Sequence, residues 1–87
     1  MPFYAYIVRC RDGSLYTGWT DDPERRVRVH NEGRGGRYTR SHLPVTLVYL
    51  EEHASKNAAM SRERAIKKMS RGQKNLLIEA KTRTGVP

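Results

Sequence analysis

Two strand-type runs joined by a tight-turn dipeptide constrain the fold of this sequence more than any other feature. Residues 3–9 form a nearly continuous apolar and aromatic stretch, residues 15–20 form a second, and Asp12 and Gly13 stand between them. Aromatic and β-branched side chains favour pleated backbone, and an Asp-Gly pair readily adopts the backbone angles of a hairpin turn. The segment 3–20 therefore reads as an antiparallel hairpin, with Tyr6 and Tyr16 on adjacent strands.

The next signals are helical. Asp22 is placed to cap a helix, Pro23 suits its first position, and Glu24 complements the helix dipole. Gly33 ends that helix. Residues 31–41 form a glycine- and arginine-rich loop carrying one aromatic, Tyr38. After Pro44, residues 45–50 are a third strand by their β-branched and aromatic content. Ser55 or Asn57 can cap a second helix running to about residue 69. Ser70 and Gln73 resemble a capping box for a third, over about 74–81, with Gly72 weakening its first turn. The order is ββαβαα. The expected fold is α+β, a small three-stranded antiparallel sheet flanked by helices, with residues 1–87 as a single domain, since a chain of this length holds one core and not two.

Seventeen Lys and Arg against nine Asp and Glu give a formal charge of +8. So strong a bias implies a polyanionic partner, and nucleic acid fits best, because cationic side chains displace counterions condensed on phosphates. A lipid surface fits less well: the basic residues spread over strand ends, loops and three helices and form no single stripe. No segment approaches the roughly 20 apolar residues of a membrane span, and no signal-like leader is visible. Cys10 is the only cysteine, so neither an internal disulfide nor a cysteine zinc site can form. The expected setting is cytoplasmic, with DNA as partner, RNA as the lesser rival, no membrane, and no obligate protein partner evident.

Candidate chemistry concentrates around the hairpin and the helix after it. Tyr6 and Tyr16 lie ten residues apart, Arg26 follows ten residues after Tyr16, and His30 stands one helical turn beyond Arg26, on the same face. Tyr4-Ala5-Tyr6, Tyr16-Thr17-Gly18 and the helix from Asp22 through Arg26 to His30 and Asn31 together resemble the GIY-YIG nucleases. Ala59, Met60, Ser61, Arg62 and Glu63 resemble that family's later helix, with Glu63 in the position of its acidic metal ligand and Lys67 one turn on. The first triplet departs from the family pattern, having Tyr4 and Ala5 in place of glycine and isoleucine. The resemblance covers roughly residues 3 to 75 and is nearest to short bacterial proteins made of little else.

That resemblance implies a divalent-metal-dependent DNA endonuclease hydrolysing phosphodiesters, acting in DNA repair or recombination on structured DNA. Its expected catalytic residues are Tyr6, Tyr16, Arg26, His30 and Glu63. Glu63 would hold one Mg2+ or Mn2+ ion, a hard cation that keeps much of its water. Arg26 offers a planar fork to the scissile phosphate. Tyr6 is the candidate to orient or deprotonate the attacking water, helped by His30 as proton acceptor, while Tyr16 positions the phosphate or the water, and the sequence leaves the division between the two tyrosines open. Arg34, Arg37, Tyr38, Arg40 and Lys67 are expected to contact nucleic acid, pairing phosphates with one stacking platform. The alternative is a non-catalytic DNA-binding module assisting other repair proteins.

Plainer readings compete. Strand tyrosines are commonly core residues, His30 could be a surface histidine at a helix end, and Glu63 and Lys67 could form a simple ion pair. Glu63 falls at the margin of an apolar stripe with Ala59 and Ile66, although Arg62 lies uncomfortably near the middle of that stripe. Glu51 and Glu52, adjacent on a strand, point to opposite faces and are read as surface. His42 and His53 are given no role.

Overall fold

The computed structural model describes residues 2–35, 39 and 41–83, with the side chains of 82 and 83 excepted. The elements run β1 (Phe3–Arg9), β2 (Leu15–Thr20), α1 (Pro23–Asn31), β3 (Thr46–His53), α2 (Lys56–Lys67) and α3 (Arg71–Arg83). They match the expected ββαβαα order. One antiparallel sheet is formed in the order β2-β1-β3, so β1 is the central strand.

That position explains the unbroken apolar run of β1: Ala5, Tyr6, Ile7 and Val8 are all buried, because both faces of the strand are covered. Ala5 and Ile7 point to the face packed by α2 and α3, where they meet Tyr49, Ile66 and Ile78. Tyr6 and Val8 point to the opposite face, in a second cluster with Cys10 and Val45, flanked by Tyr16, Val27, Leu47 and Leu50. A bulge between Ile7 and Val8 shifts the register with β3, from Ile7 opposite Tyr49 to Val8 opposite Leu47.

The hairpin turn forms as its residues dictate. Gly13 takes a φ of 89°, and Asp12 accepts from the backbone N–H and hydroxyl of Ser14. Asp22 caps α1 by accepting from the Arg25 N–H, and Gly33, with a φ of 82°, follows the helix end. Ser55, not Asn57, caps α2.

Several boundaries differ from expectation. β3 extends to His53, because Phe3 pairs with His53 and Ala5 with Glu51, and the sheet continues as far as β1 offers a partner. α2 ends at Lys67, short of residue 69. α3 begins at Arg71, three residues before the expected start: Ser70 Oγ accepts from the Gln73 N–H while the Gln73 side chain accepts from the Ser70 N–H. A reciprocal cap of this kind makes Ser70 the N-cap and carries Gly72 inside the first turn.

Candidate active site

The site is built on the sheet face that α1 covers. Tyr6 and Gly18 are directly opposed across β1 and β2. Because residue 18 has no side chain, the Tyr6 ring lies over it: a Cβ at Gly18 would fall 2.4 Å from the Tyr6 hydroxyl. α1 then delivers two residues to that hydroxyl. His30 Nε2 is 3.0 Å away, and Arg26 Nε–H donates to the same oxygen at 3.3 Å. The one-turn spacing of Arg26 and His30 has the consequence expected of it, since both converge on a single phenol. Tyr16 completes the group, its ring 5.4 Å from that of His30 in an edge-on arrangement.

His30 is wholly buried, which removes the reading of it as a surface histidine. Burial, reinforced by the neighbouring Arg26 charge, holds its pKa below the ordinary histidine value, so the ring is neutral near pH 7. Burial pushes the Tyr6 phenol up; the Arg26 hydrogen bond and charge oppose this, and the charge of Glu63 adds to the rise. Glu63, carried by α2, is thus one of the charges that act on the Tyr6 phenol.

Two residues that carry no sequence signal of function hold the other sides of this group. Thr39 is fully buried, and its hydroxyl lies 2.9 Å from His30 Nδ1. The Gly35 carbonyl accepts from Arg26 Nη2 at 2.8 Å. A Cβ at Gly35 would fall 2.1 Å from His30 Nδ1, so the loop backbone packs directly on the imidazole. Both follow α1 in the glycine- and arginine-rich stretch expected to contact nucleic acid, and nothing local marks them as neighbours of His30.

On α2, Ala59 and Ile66 are fully buried, and the Glu63 side chain, 17% exposed, lies at the margin they define. The misfit of Arg62 is resolved by Glu51: Arg62 Nε–H donates to Glu51 Oε1 at 2.7 Å. Glu51 is therefore not the plain surface residue expected. It also accepts from Tyr49 and lies 2.8 Å from His53 Nε2, so His53 has a structural place too. Burial alone would raise the Glu51 carboxyl; the bonds from Tyr49, Arg62 and His53 outweigh that and hold it below the usual range.

Lys67 Nζ lies 3.7 Å from Glu63 Oε2, the simple ion pair that competed with a nucleic-acid role. Arg34 pairs with Glu32 and, with Arg25, Arg26 and Arg28, lines a polar cleft of about 600 Å3 that meets the site at Arg26. Arg37, Tyr38 and Arg40 lie outside the described residues. A larger, more apolar cleft of about 720 Å3, between Tyr4, Val27, Leu47 and Leu50, contains none of the five candidate catalytic residues.

Among the described residues no three His, Cys, Asp or Glu side chains gather as a metal cage. Glu63 offers one partly solvated carboxylate. Such a donor fits a hard cation that fills its remaining positions with water and substrate oxygens, and does not fit zinc.

Residues 2–75 match the family model described as the GIY-YIG catalytic domain. A UPF0213 protein of Clostridium perfringens is 52% identical over 91% of this chain and 85% of its own length. One from Haloquadratum walsbyi is 51% identical over 97% and 94%. Among solved structures, the solution NMR structure of a UPF0213 protein from Bacillus halodurans aligns with a TM-score of 0.60 at 43% identity, covering 93% of this chain and 86% of the other. An E. faecalis protein aligns at 0.62 and 38%, covering 92% and 85%.

Proposed function

This chain belongs to the GIY-YIG family, and from that premise we propose that it is a DNA endonuclease that hydrolyses phosphodiesters with one Mg2+ or Mn2+ ion, serving repair or recombination of structured DNA in the cytoplasm. The carrying observation is the convergence of Arg26 and His30 on the Tyr6 hydroxyl. A buried phenol bonded to a neutral imidazole is arranged to pass a proton on, and its arginine neighbour is arranged to meet a phosphate.

Tyr6 is the tyrosine that serves the attacking water. As the water oxygen bonds to phosphorus, its proton moves to the Tyr6 oxygen and the phenolic proton moves to His30 Nε2. The bond from phosphorus to the 3′ oxygen breaks, and that oxygen takes a proton from solvent. The products are a 5′-phosphate and a 3′-hydroxyl. Arg26 spends one donor on Tyr6 and one on Gly35, leaving others for the oxygens on which charge builds. Tyr16, beside His30, positions the phosphate. Glu63 would hold the cation, which supplies charge neutralisation at the leaving oxygen. Arg34 and its arginine neighbours in the polar cleft, and Lys67 beside Glu63, would track the DNA backbone with little regard to sequence.

A panel of labelled linear, nicked, flapped and branched DNAs, incubated with and without Mg2+ or Mn2+, tests this reading. Cleavage that requires metal and is lost in Glu63→Ala, with the fold retained by circular dichroism, is expected. Salt-sensitive binding with no cleavage of any substrate would point instead to a non-catalytic DNA-binding module. A DNA and RNA competition of one sequence separates the two nucleic acids.

A further inference from the structure

The hydrogen-bond chain through the site has a direction, and that direction gives Thr39 a task. Arg26 can only donate, so the Tyr6 oxygen accepts from Arg26 Nε–H. Tyr6 is buried, and the other group within hydrogen-bond distance of its oxygen among the described residues is His30 Nε2 at 3.0 Å, which leaves the phenolic O–H to donate to that nitrogen. If Nε2 carried the ring proton instead, the phenol would accept from both neighbours and its own buried O–H would have no acceptor among these partners. Nε2 is therefore the bare nitrogen, and in a neutral ring the proton sits on Nδ1. Nδ1 faces Thr39 Oγ1 at 2.9 Å.

We propose that Thr39 is a positioning residue that fixes His30 as the Nδ1–H tautomer, so that Nε2 is the acceptor for the Tyr6 proton. Two contacts support the assignment independently of any hydrogen position. Thr39 is fully buried, so its hydroxyl is held against the ring and is not a passing surface contact. Gly35 closes the same edge of the imidazole with bare backbone, since a side-chain carbon there would meet Nδ1 at 2.1 Å and Cγ at 2.4 Å. The ring can neither slide nor turn its Nδ1 edge towards water. As His30 takes the proton, Thr39 accepts from the imidazolium Nδ1–H and keeps Nε2 aligned with Tyr6.

The kinetic consequence rests on the nuclease reading above, whereas the tautomer does not, so the two can fail separately. Long-range 1H–15N correlation of the His30 ring in the intact protein reads the tautomer directly. The wild type should show a protonated Nδ1 and a bare Nε2. Thr39→Val should mix or reverse the tautomers and lower kcat for DNA cleavage by roughly 10- to 100-fold, by analogy with the loss of a partner that orients a metal-bound imidazole, with KM for DNA unchanged. Thr39→Ser, which keeps the hydroxyl, should restore both. A protonated Nε2 in the folded wild type would overturn the proposal with no variant needed, as would a Thr39→Val protein retaining tautomer and kcat, or a Thr39→Ser protein that rescues neither. Should the wild type cut no DNA, the nuclease reading falls while the ring spectra of the wild type and Thr39→Ser still decide the role of Thr39.

Discussion

The Tyr6 phenol crosses from β1 over β2 through the space that Gly18 leaves empty, its hydroxyl 2.4 Å from where a Cβ at residue 18 would stand and its Cζ 2.6 Å. Real Cβ atoms do not approach so closely, so Gly18→Ala must push the phenol away from Arg26 and His30 or part the two strands. Crowding of this kind costs about 1–3 kcal/mol of stability. Turnover should fall further than that loss explains, because the proton path through Tyr6 depends on hydrogen-bond distances. DNA cleavage at saturating substrate, compared with the urea midpoint of the same protein, checks this; wild-type turnover in Gly18→Ala would show that the phenol does not need its present place.

Much of this arrangement was legible in the sequence. The spacing of Tyr6, Tyr16, Arg26 and His30 follows from a hairpin and a capped helix, two devices with strong local signals, and the structure brings these four together. Glu63 was legible as a carboxylate at the edge of an apolar stripe. Thr39 and Gly35 were not legible, because their roles come from non-local contacts with α1, which leave no periodic trace in the sequence. Glu51 was misread for a similar reason. Alternation along β3 correctly sends Glu51 and Glu52 to opposite faces, but only the packing of α2 brings Arg62 over Glu51. The start of α3 is hard to read because Gly72 disfavours a helix locally, while the reciprocal cap between Ser70 and Gln73 fixes the first turn around it.

The buried, neutral His30 should make stability depend on pH. Its folded pKa lies below the unfolded value of 6.5, first through burial and then through Arg26. Above 6.5 both states hold the ring neutral and its full contribution is present. As pH falls through 6.5 the unfolded chain binds the proton first, so stability drops until the folded pKa is reached and then levels off. For one proton the slope cannot exceed about 1.4 kcal/mol per pH unit. Urea unfolding between pH 7.5 and 5 should show this loss, and His30→Gln should remove that part of it while leaving whatever His42 and His53 contribute. An identical slope in His30→Gln would mean that folding does not lower the His30 pKa.

Thr17, between Tyr16 and Gly18, turns to the other face of β2 and is buried, and its hydroxyl has no hydrogen-bond partner among the described residues. An unsatisfied buried hydroxyl destabilises, and a methyl group of the same shape does not. Thr17→Val should therefore raise stability, by about 1 kcal/mol, seen as a higher urea midpoint at unchanged slope. A lower midpoint would reveal that the hydroxyl has a water or ion as its partner.

The Glu51 network offers the complementary test, because it lies on the sheet face away from Tyr6. Glu51 serves as acceptor for Tyr49 and Arg62 and as partner of His53, tying β3 to α2. Glu51→Ala leaves those groups facing a gap, which would cost about 1–3 kcal/mol for a buried set. Arg62 is one-third exposed and can recover water, so the lower half of that range is expected. Glu51→Gln keeps the shape and loses the charge, and should fall between Ala and wild type. The sign with pH is opposite in origin to that of His30: the Glu51 pKa is depressed in the fold, so its contribution is present above the ordinary glutamate value of 4.5 and is lost as pH falls below it. Wild type and Glu51→Ala should thus converge in stability in acid. Cleavage per folded molecule near pH 7 should be unchanged in Glu51→Ala, since neither Arg62 nor His53 touches Tyr6, Arg26 or His30; a loss of turnover larger than the loss of folded protein would mean that α2 must be held by Glu51 for Glu63 to reach the site.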